Sequence, residues 1–174
     1  RVVSELPLTA RNYVTPHGRK RLSDEFEHLT NVQRPALAAL LNAASAQDGP
    51  EGLEYQTHKK RQRELDRRLE YVTKRIENAE IIDPAARRAG TDQVFFSATV
   101  RFANKRGEER TVSIVGVDEI DLAHGYISFL SPLAKALLRA REGDVVPFQS
   151  PGGADELEIL EVKYQELPMT PFTA

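Results

Sequence analysis

The chain has 174 residues, no cysteine and a formal net charge of -2 at pH 7, with 40% apolar and 29% charged residues. That balance fits one or two small soluble domains with a real core, and it excludes a disulfide framework, cysteine-ligated zinc and a global electrostatic drive toward nucleic acid or anionic membrane. No apolar run approaches the roughly 18 residues needed to cross a bilayer and no secretory leader is visible, so a cytoplasmic protein with no membrane partner is expected.

Thr15 and Pro16 read as the N-cap and first position of a helix. Leu22, Phe26, Leu29, Gln33, Ala36, Leu40 and Ala43 then alternate at spacings of four and three, which keeps one stripe on one helical face. A turn follows in "SAQDGPEGLEYQTHKK", residues 45 to 60. Beyond it Tyr55, His58, Gln62, Leu65, Leu69, Val72, Ile76 and Ala79 repeat the alternation until Pro84 ends the pattern. Two seams joined by a short turn fold back as an antiparallel coiled-coil hairpin. About 30 residues per helix gives a rod of roughly 45 Å, longer than the diameter of a small domain. The small side chains of "LLNAASA" narrow it toward the tip.

From Gln93 the period changes. "QVFFSATVRFANKRGEERTVSIVGV" reads as two strands about a turn at Gly107, with Val100 and Phe102 facing inward. "GYISFL" is a short strand, "SPLAKALLRAREG" a helix capped by Ser131 and Pro132 and stopped by Gly143, and "DVVPF" and "DELEILEVKY" are two further strands. The expected class is α+β, with a helical hairpin in residues 1–83, a linker in 84–92, a small antiparallel sheet with one helix in 93–166, and a loose tail in 167–174.

No phosphate-binding glycine loop, nucleophile elbow, zinc-peptidase helix or dinucleotide fingerprint is present, so the ordinary pocket chemistries lack their parts. His17, His28, His58 and His124 are scattered and read as surface or seam residues. The residues that stand out are Asp48 and Glu51, three apart in a Gly/Pro turn. They fit a solvated turn acid beside a helix cap. They also fit half of a metal site: Mg²⁺ takes six oxygens in near-octahedral geometry, two loop carboxylates cannot supply them, and a partner would own the remainder. The run Lys59, Lys60, Arg61, Arg63, Arg67 and Arg68 fits a phosphate- or acid-binding surface, or a solvated face paired with Glu64, Asp66 and Glu70.

From "NYVTPHGRKRL" to "ELEILEVKY" the chain resembles the Gre-type transcript cleavage factors of bacterial RNA polymerase, closest to the GreB-like branch. "NYVTPHGRKRL" is similar to the family's opening Tyr-x-Thr-Pro-x-Gly stretch, and "EYQTHKKRQRELDRRLEYVTKRIENAEIID" to its second coiled-coil helix. "IVGVDEIDLAHGYISFLSPLAKALLRAREGD" resembles its C-terminal signature, with Asp118-Glu119, Ile127-Ser128 and Ser131-Pro132. The resemblance implies a coiled coil that enters the polymerase secondary channel and an FKBP-like C-terminal domain that grips the β′ subunit rim. It places Asp48 and Glu51 on the two tip acids that help hold a catalytic Mg²⁺ shared with the polymerase, and Glu54 on the acid before the tyrosine. Lys59, Lys60, Arg61, Arg63, Arg67 and Arg68 would contact RNA or polymerase, and Asp118, Glu119, Phe129, Leu130, Ser131 and Pro132 the rim. The protein would act as a monomer and, without being an enzyme itself, stimulate cleavage at the nascent RNA 3′ end. The tip departs from the family at Pro50, Gly52 and Leu53, and Phe129-Leu130 precede Ser131 where a polar or acidic residue is usual. These departures leave open a channel-binding regulator without cleavage. An adaptor for another partner and a proline isomerase are further alternatives.

Overall fold

The computed structural model describes residues 12–86 and 91–174, which divide into two compact units. One comprises 19–79 and 170–174, the other 12–18 and 80–169. Among the described residues no helix is long and apolar enough to cross a membrane.

The first unit is the helical hairpin. Helix α1 (Pro16–His28) runs into a π-turn at Leu29–Gln33 and on into α2 (Arg34–Asp48). In the π-turn the Arg34 N–H bonds to the carbonyl of Leu29, five residues back. The cause lies one residue on: Pro35 has no N–H, and in a regular helix its ring would crowd the carbonyl four residues back. Widening the turn ahead of the proline relieves both. The extra residue shifts the seam by one. After Gln33 the buried positions are Leu37, Leu41 and Ala44 rather than the expected Ala36, Leu40 and Ala43, and Leu40 is 45% exposed against 8% for Leu37.

Helix α3 (Leu53–Glu77) follows its expected seam, burying Leu65 and Val72 and packing Tyr55, Leu69 and Ile76 against the same cluster. It stops earlier than Pro84, because Ala79–Ile81 form strand β2 against β1 (Asn12–Val14). Arg68 clamps the hairpin by donating to both oxygens of Glu25, at 2.6 and 2.9 Å.

The second unit holds a five-stranded sheet in the order β5-β4-β3-β7-β6, formed by β3 (Thr99–Ala103), β4 (Glu109–Val115), β5 (Tyr126–Ser128), β6 (Val145–Ser150) and β7 (Gly153–Lys163). The β3–β4 hairpin closes on Asn104, whose side chain accepts the N–H groups of Arg106 and Glu108 while Gly107 takes a φ of 78°. In β7 a bulge between the partners of Arg101 and Phe102 shifts the alternation, so that Leu157, Ile159 and Val162 all face inward. Pro147 is tolerated because β6 lies at the sheet edge.

Three expectations for this unit change. The sheet is mixed, since β5 pairs with β4 in parallel: the ten residues between them carry the chain back to Ser113, so that Tyr126–Ser128 lie beside the last three residues of β4. Helix α4 (Pro132–Leu137) is shorter than expected. It ends because the backbone of Arg139 and Ala140 pairs instead with Val94, at 2.7 and 2.8 Å, with Arg139 at a φ of 73°. The tail is also held down, at least initially: Leu167 is buried with Val115 and Tyr126, and the Tyr126 hydroxyl donates to the Pro168 carbonyl at 2.8 Å.

A buried carboxylate ties the start of α1 to this unit. Glu119 is 1% exposed. One of its oxygens accepts the Thr15 N–H at 2.8 Å and the Thr15 hydroxyl, and the other accepts the Gly116 N–H at 2.6 Å. The Thr15 hydroxyl oxygen in turn accepts the Gly18 N–H at 3.3 Å, which makes it the N-cap of α1. Gly18 is required here, because a Cβ would stand 1.9 Å from a Glu119 oxygen. Burial pushes the Glu119 carboxyl above its ordinary range, and the hydrogen bonds from Thr15 and Gly116 only partly counter it.

Two outcomes follow. Leu37→Ala should destabilise the protein by about 2–4 kcal/mol and Leu40→Ala by less than about 0.5 kcal/mol in urea denaturation, whereas an unshifted seam gives the reverse order. Glu119→Ala should cost about 2–4 kcal/mol by stranding its donors. Because the folded value is raised, the stabilisation from this group is complete below the unfolded value of 4.5 and is lost as pH rises through the folded one. The cost of Glu119→Ala should therefore be larger at pH 5 than at pH 8.

Candidate functional site

The tip of the hairpin is built by backbone geometry. Helix α2 ends at Asp48, Gly49 turns the chain at a φ of 73°, and the Gly49 N–H returns to the Ser45 carbonyl at 2.9 Å. The Gly52 N–H closes a tight turn on the Gly49 carbonyl at 3.2 Å. Gly52 is also pressed against Asp48, since a Cβ there would lie 2.8 Å from the Asp48 Cβ. This accounts for the departure at Gly52: the turn has no room for a side chain.

Asp48 and Glu51 are both exposed, and neither carboxylate has a hydrogen bond or ion pair among the described residues. The N-cap of α3 is Gly52, with no side-chain cap, so Glu51 is not serving as one. The structural use that would account for that acid is therefore absent. As a donor set the tip offers hard oxygen ligands suited to Mg²⁺, too few for a complete sphere. No group of three or more potential metal-ligating side chains occurs among the described residues.

The basic run is divided in use. Arg68 is committed to Glu25 and lies 5.2 Å from the centre of the Tyr71 ring, and Lys59 donates to Gln62 at 2.9 Å. Of the expected acidic partners, Asp66 pairs with Arg34 at 3.3 Å and Glu70 with Lys74 at 3.0 Å. Lys60, Arg61, Arg63 and Arg67 are exposed without an ion pair among the described residues. Lys60, Arg63 and Arg67 share one face of α3 by their three- and four-residue spacing.

The expected rim residues separate. Glu119 cannot touch a partner, because it is buried on Thr15, Gly18 and Gly116. The Phe129 ring is likewise used internally, edge-on to Phe96 and Tyr13 at 5.6 and 5.5 Å. Asp118 is half-buried and already engaged within the chain. Leu130 is half-buried and Pro132 exposed, while the Ser131 hydroxyl caps α4 by accepting the Ala134 N–H at 3.2 Å.

Two features were missed in the sequence. A groove of about 790 Å³ opens beside Ser131 and Pro132, floored by Phe102, Ile127, Leu133 and Phe148 and edged by Glu108 and Asp155. The N–H groups of Lys105 and Glu156 hold the Asp155 carboxyl below its ordinary range. The inward alternation of β3 hinted at that floor, but its mouth depends on the sheet order. The second is Gln56, whose side-chain N–H donates to the Pro50 carbonyl at 2.6 Å, six residues back. No periodic signal marks such a contact.

Residues 12–81 match the family described as transcription elongation factor, N-terminal, and residues 89–164 match transcription elongation factor, GreA/GreB, C-term. The chain is 49% identical over 155 residues to transcription elongation factor GreB of Neisseria meningitidis serogroup B, covering 88% of this chain and 94% of that protein. It is 39% identical over 164 residues to transcription elongation factor GreA of Alkalilimnicola ehrlichii, covering 93% and 99%. A solved structure of the elongation factor GreA/GreB from Nitrosomonas europaea is 23% identical, covering 90% of this chain and 100% of that one, at a TM-score of 0.39. With both halves matched and relatives aligned over nearly their full length, the chain belongs to the GreA/GreB family of bacterial transcription elongation factors.

Proposed function

We propose that this protein binds RNA polymerase, inserts its helical hairpin into the secondary channel and stimulates endonucleolytic cleavage of backtracked nascent RNA, rescuing arrested complexes. The observation that carries this reading is the pair of exposed tip carboxylates with no hydrogen bond or ion pair among the described residues. Asp48 and Glu51 would hold Mg²⁺ together with polymerase ligands, and the bound ion would activate water and stabilise the leaving oxygen of the phosphodiester. The two acids act as ligands and orient water, and the chain needs no catalytic pocket of its own. Lys60, Arg61, Arg63 and Arg67 supply positive charge below the tip for the displaced RNA strand or for polymerase acids.

Docking belongs to the other unit. Leu130, Pro132 and the groove beside them offer an apolar surface with an acidic edge, which suits a rim segment carrying apolar anchors and basic neighbours. Affinity and cleavage are thereby separable functions of one chain.

The test is a transcript cleavage assay on a stalled elongation complex. Asp48→Ala or Glu51→Ala should lower the cleavage rate by about a hundredfold or more while the concentration for half-saturation stays nearly constant, because the acids act at the transition state. Wild-type protein that binds the complex without raising cleavage would identify a regulator instead. Leu130→Asp should have the opposite signature. It should raise the half-saturating concentration about tenfold, consistent with about 1–2 kcal/mol of lost apolar burial, and leave the maximal rate unchanged.

A further inference from the structure

We infer that Gln56 is a positioning residue for the tip acids: its side-chain amide fixes the Pro50 carbonyl and with it the direction in which Glu51 presents its carboxylate. The inference rests on the cleavage reading above and assigns a task to a residue outside the metal-binding pair.

The geometry converges on one peptide. Pro50 O belongs to the peptide unit that leads into Glu51, and Gln56 Nε2 holds it at 2.6 Å. The backbone N–H of the same glutamine bonds to the carbonyl of Gly52 at 3.0 Å. Gln56 therefore grips the chain on both sides of Glu51. The grip has a firm base, since the adjacent Tyr55 packs against the hairpin cluster. On the opposite side, Gly49 and Gly52 close their own turn and Gly52 lies against Asp48. Among the described residues the Glu51 carboxylate has no hydrogen bond or ion pair, while its backbone is held at both flanking residues.

A metal shared between two proteins makes this consequential. Neither partner has a full ligand set, so each carboxylate must arrive already aimed; a loop that reorients on arrival loses entropy in the transition state. Pro50 contributes by restricting its own φ, but a proline cannot set the plane of the peptide that follows it. The amide of Gln56 does.

Gln56→Ala removes the donor, and Gln56→Glu keeps the shape while replacing the amide with a carboxylate that cannot donate at neutral pH. Both variants should raise the Mg²⁺ concentration for half-maximal stimulated cleavage by about three- to tenfold, the scale of one lost hydrogen bond. The half-saturating protein concentration should not move. A readout independent of polymerase is backbone NMR of the free protein: the Glu51 and Gly52 amides should lose order in both variants, while amides in the middle of α3 keep theirs. Unchanged order at Glu51 overturns the inference whatever the cleavage assay gives, as does a superimposable Mg²⁺ profile. Wild-type protein that stimulates no cleavage overturns the underlying reading instead, and is recognised without any variant.

Discussion

A carboxylate removed from water must be surrounded by donors, and Glu119 meets that demand by recruiting the other end of the chain. Its oxygens take hydrogen bonds from Thr15 and Gly116, so residues 104 positions apart in sequence meet at one group. The opening Tyr-x-Thr-Pro-x-Gly stretch gains a physical reading from this. Tyr13 packs beside Phe96 and Phe129, Thr15 caps the helix and bonds to Glu119, Pro16 begins the helix, and Gly18 leaves room for the carboxylate. A motif spread over six residues is thus one side of a single buried polar cluster, with the other side supplied by 116–119.

The chemistry is distributed in the complementary way. Glu119 is buried and accepts hydrogen bonds from Thr15 and Gly116, whereas Asp48 and Glu51 stand exposed with no hydrogen bond or ion pair among the described residues. Leaving carboxylates unpaired at a tip costs little in water, where they remain solvated. On the proposed function their lone pairs stay available for a metal shared with the polymerase, so that stability and chemistry would fall to different carboxylates of the same chain.

Much of the architecture was legible in the sequence because periodicity reports burial directly. The seam of α3, the β3–β4 hairpin and the Ser131 cap all follow from local pattern. The seam shift after Gln33 has a local cause in Pro35, which a pattern search for apolar spacing passes over; the other failures turn on contacts that such a pattern does not report. Helix α4 ends at Leu137 because Val94 claims the next backbone groups, and β5 runs parallel to β4 because of how the intervening loop returns. Glu119 was read as a surface contact for the same reason: a Val-Asp-Glu-Ile stretch gives no hint that Thr15 will enclose the second acid. Asp48 and Glu51 stand out in the sequence through their turn, whereas the bond from Gln56 to Pro50 does not, since a single side-chain-to-backbone bond leaves no repeat to detect.

The widened turn at Leu29–Gln33 has a geometric consequence for the tip. One residue in an α-helix corresponds to a rotation of about 100° around its axis. By absorbing an extra residue ahead of Pro35, the π-turn rotates everything downstream in α2 by about that angle relative to the pattern established in α1. Asp48 lies at the end of that rotated segment. The compass bearing of Asp48 is therefore set thirteen residues earlier, at Pro35, and the helix behaves as a shaft whose keyway was cut well away from its far end.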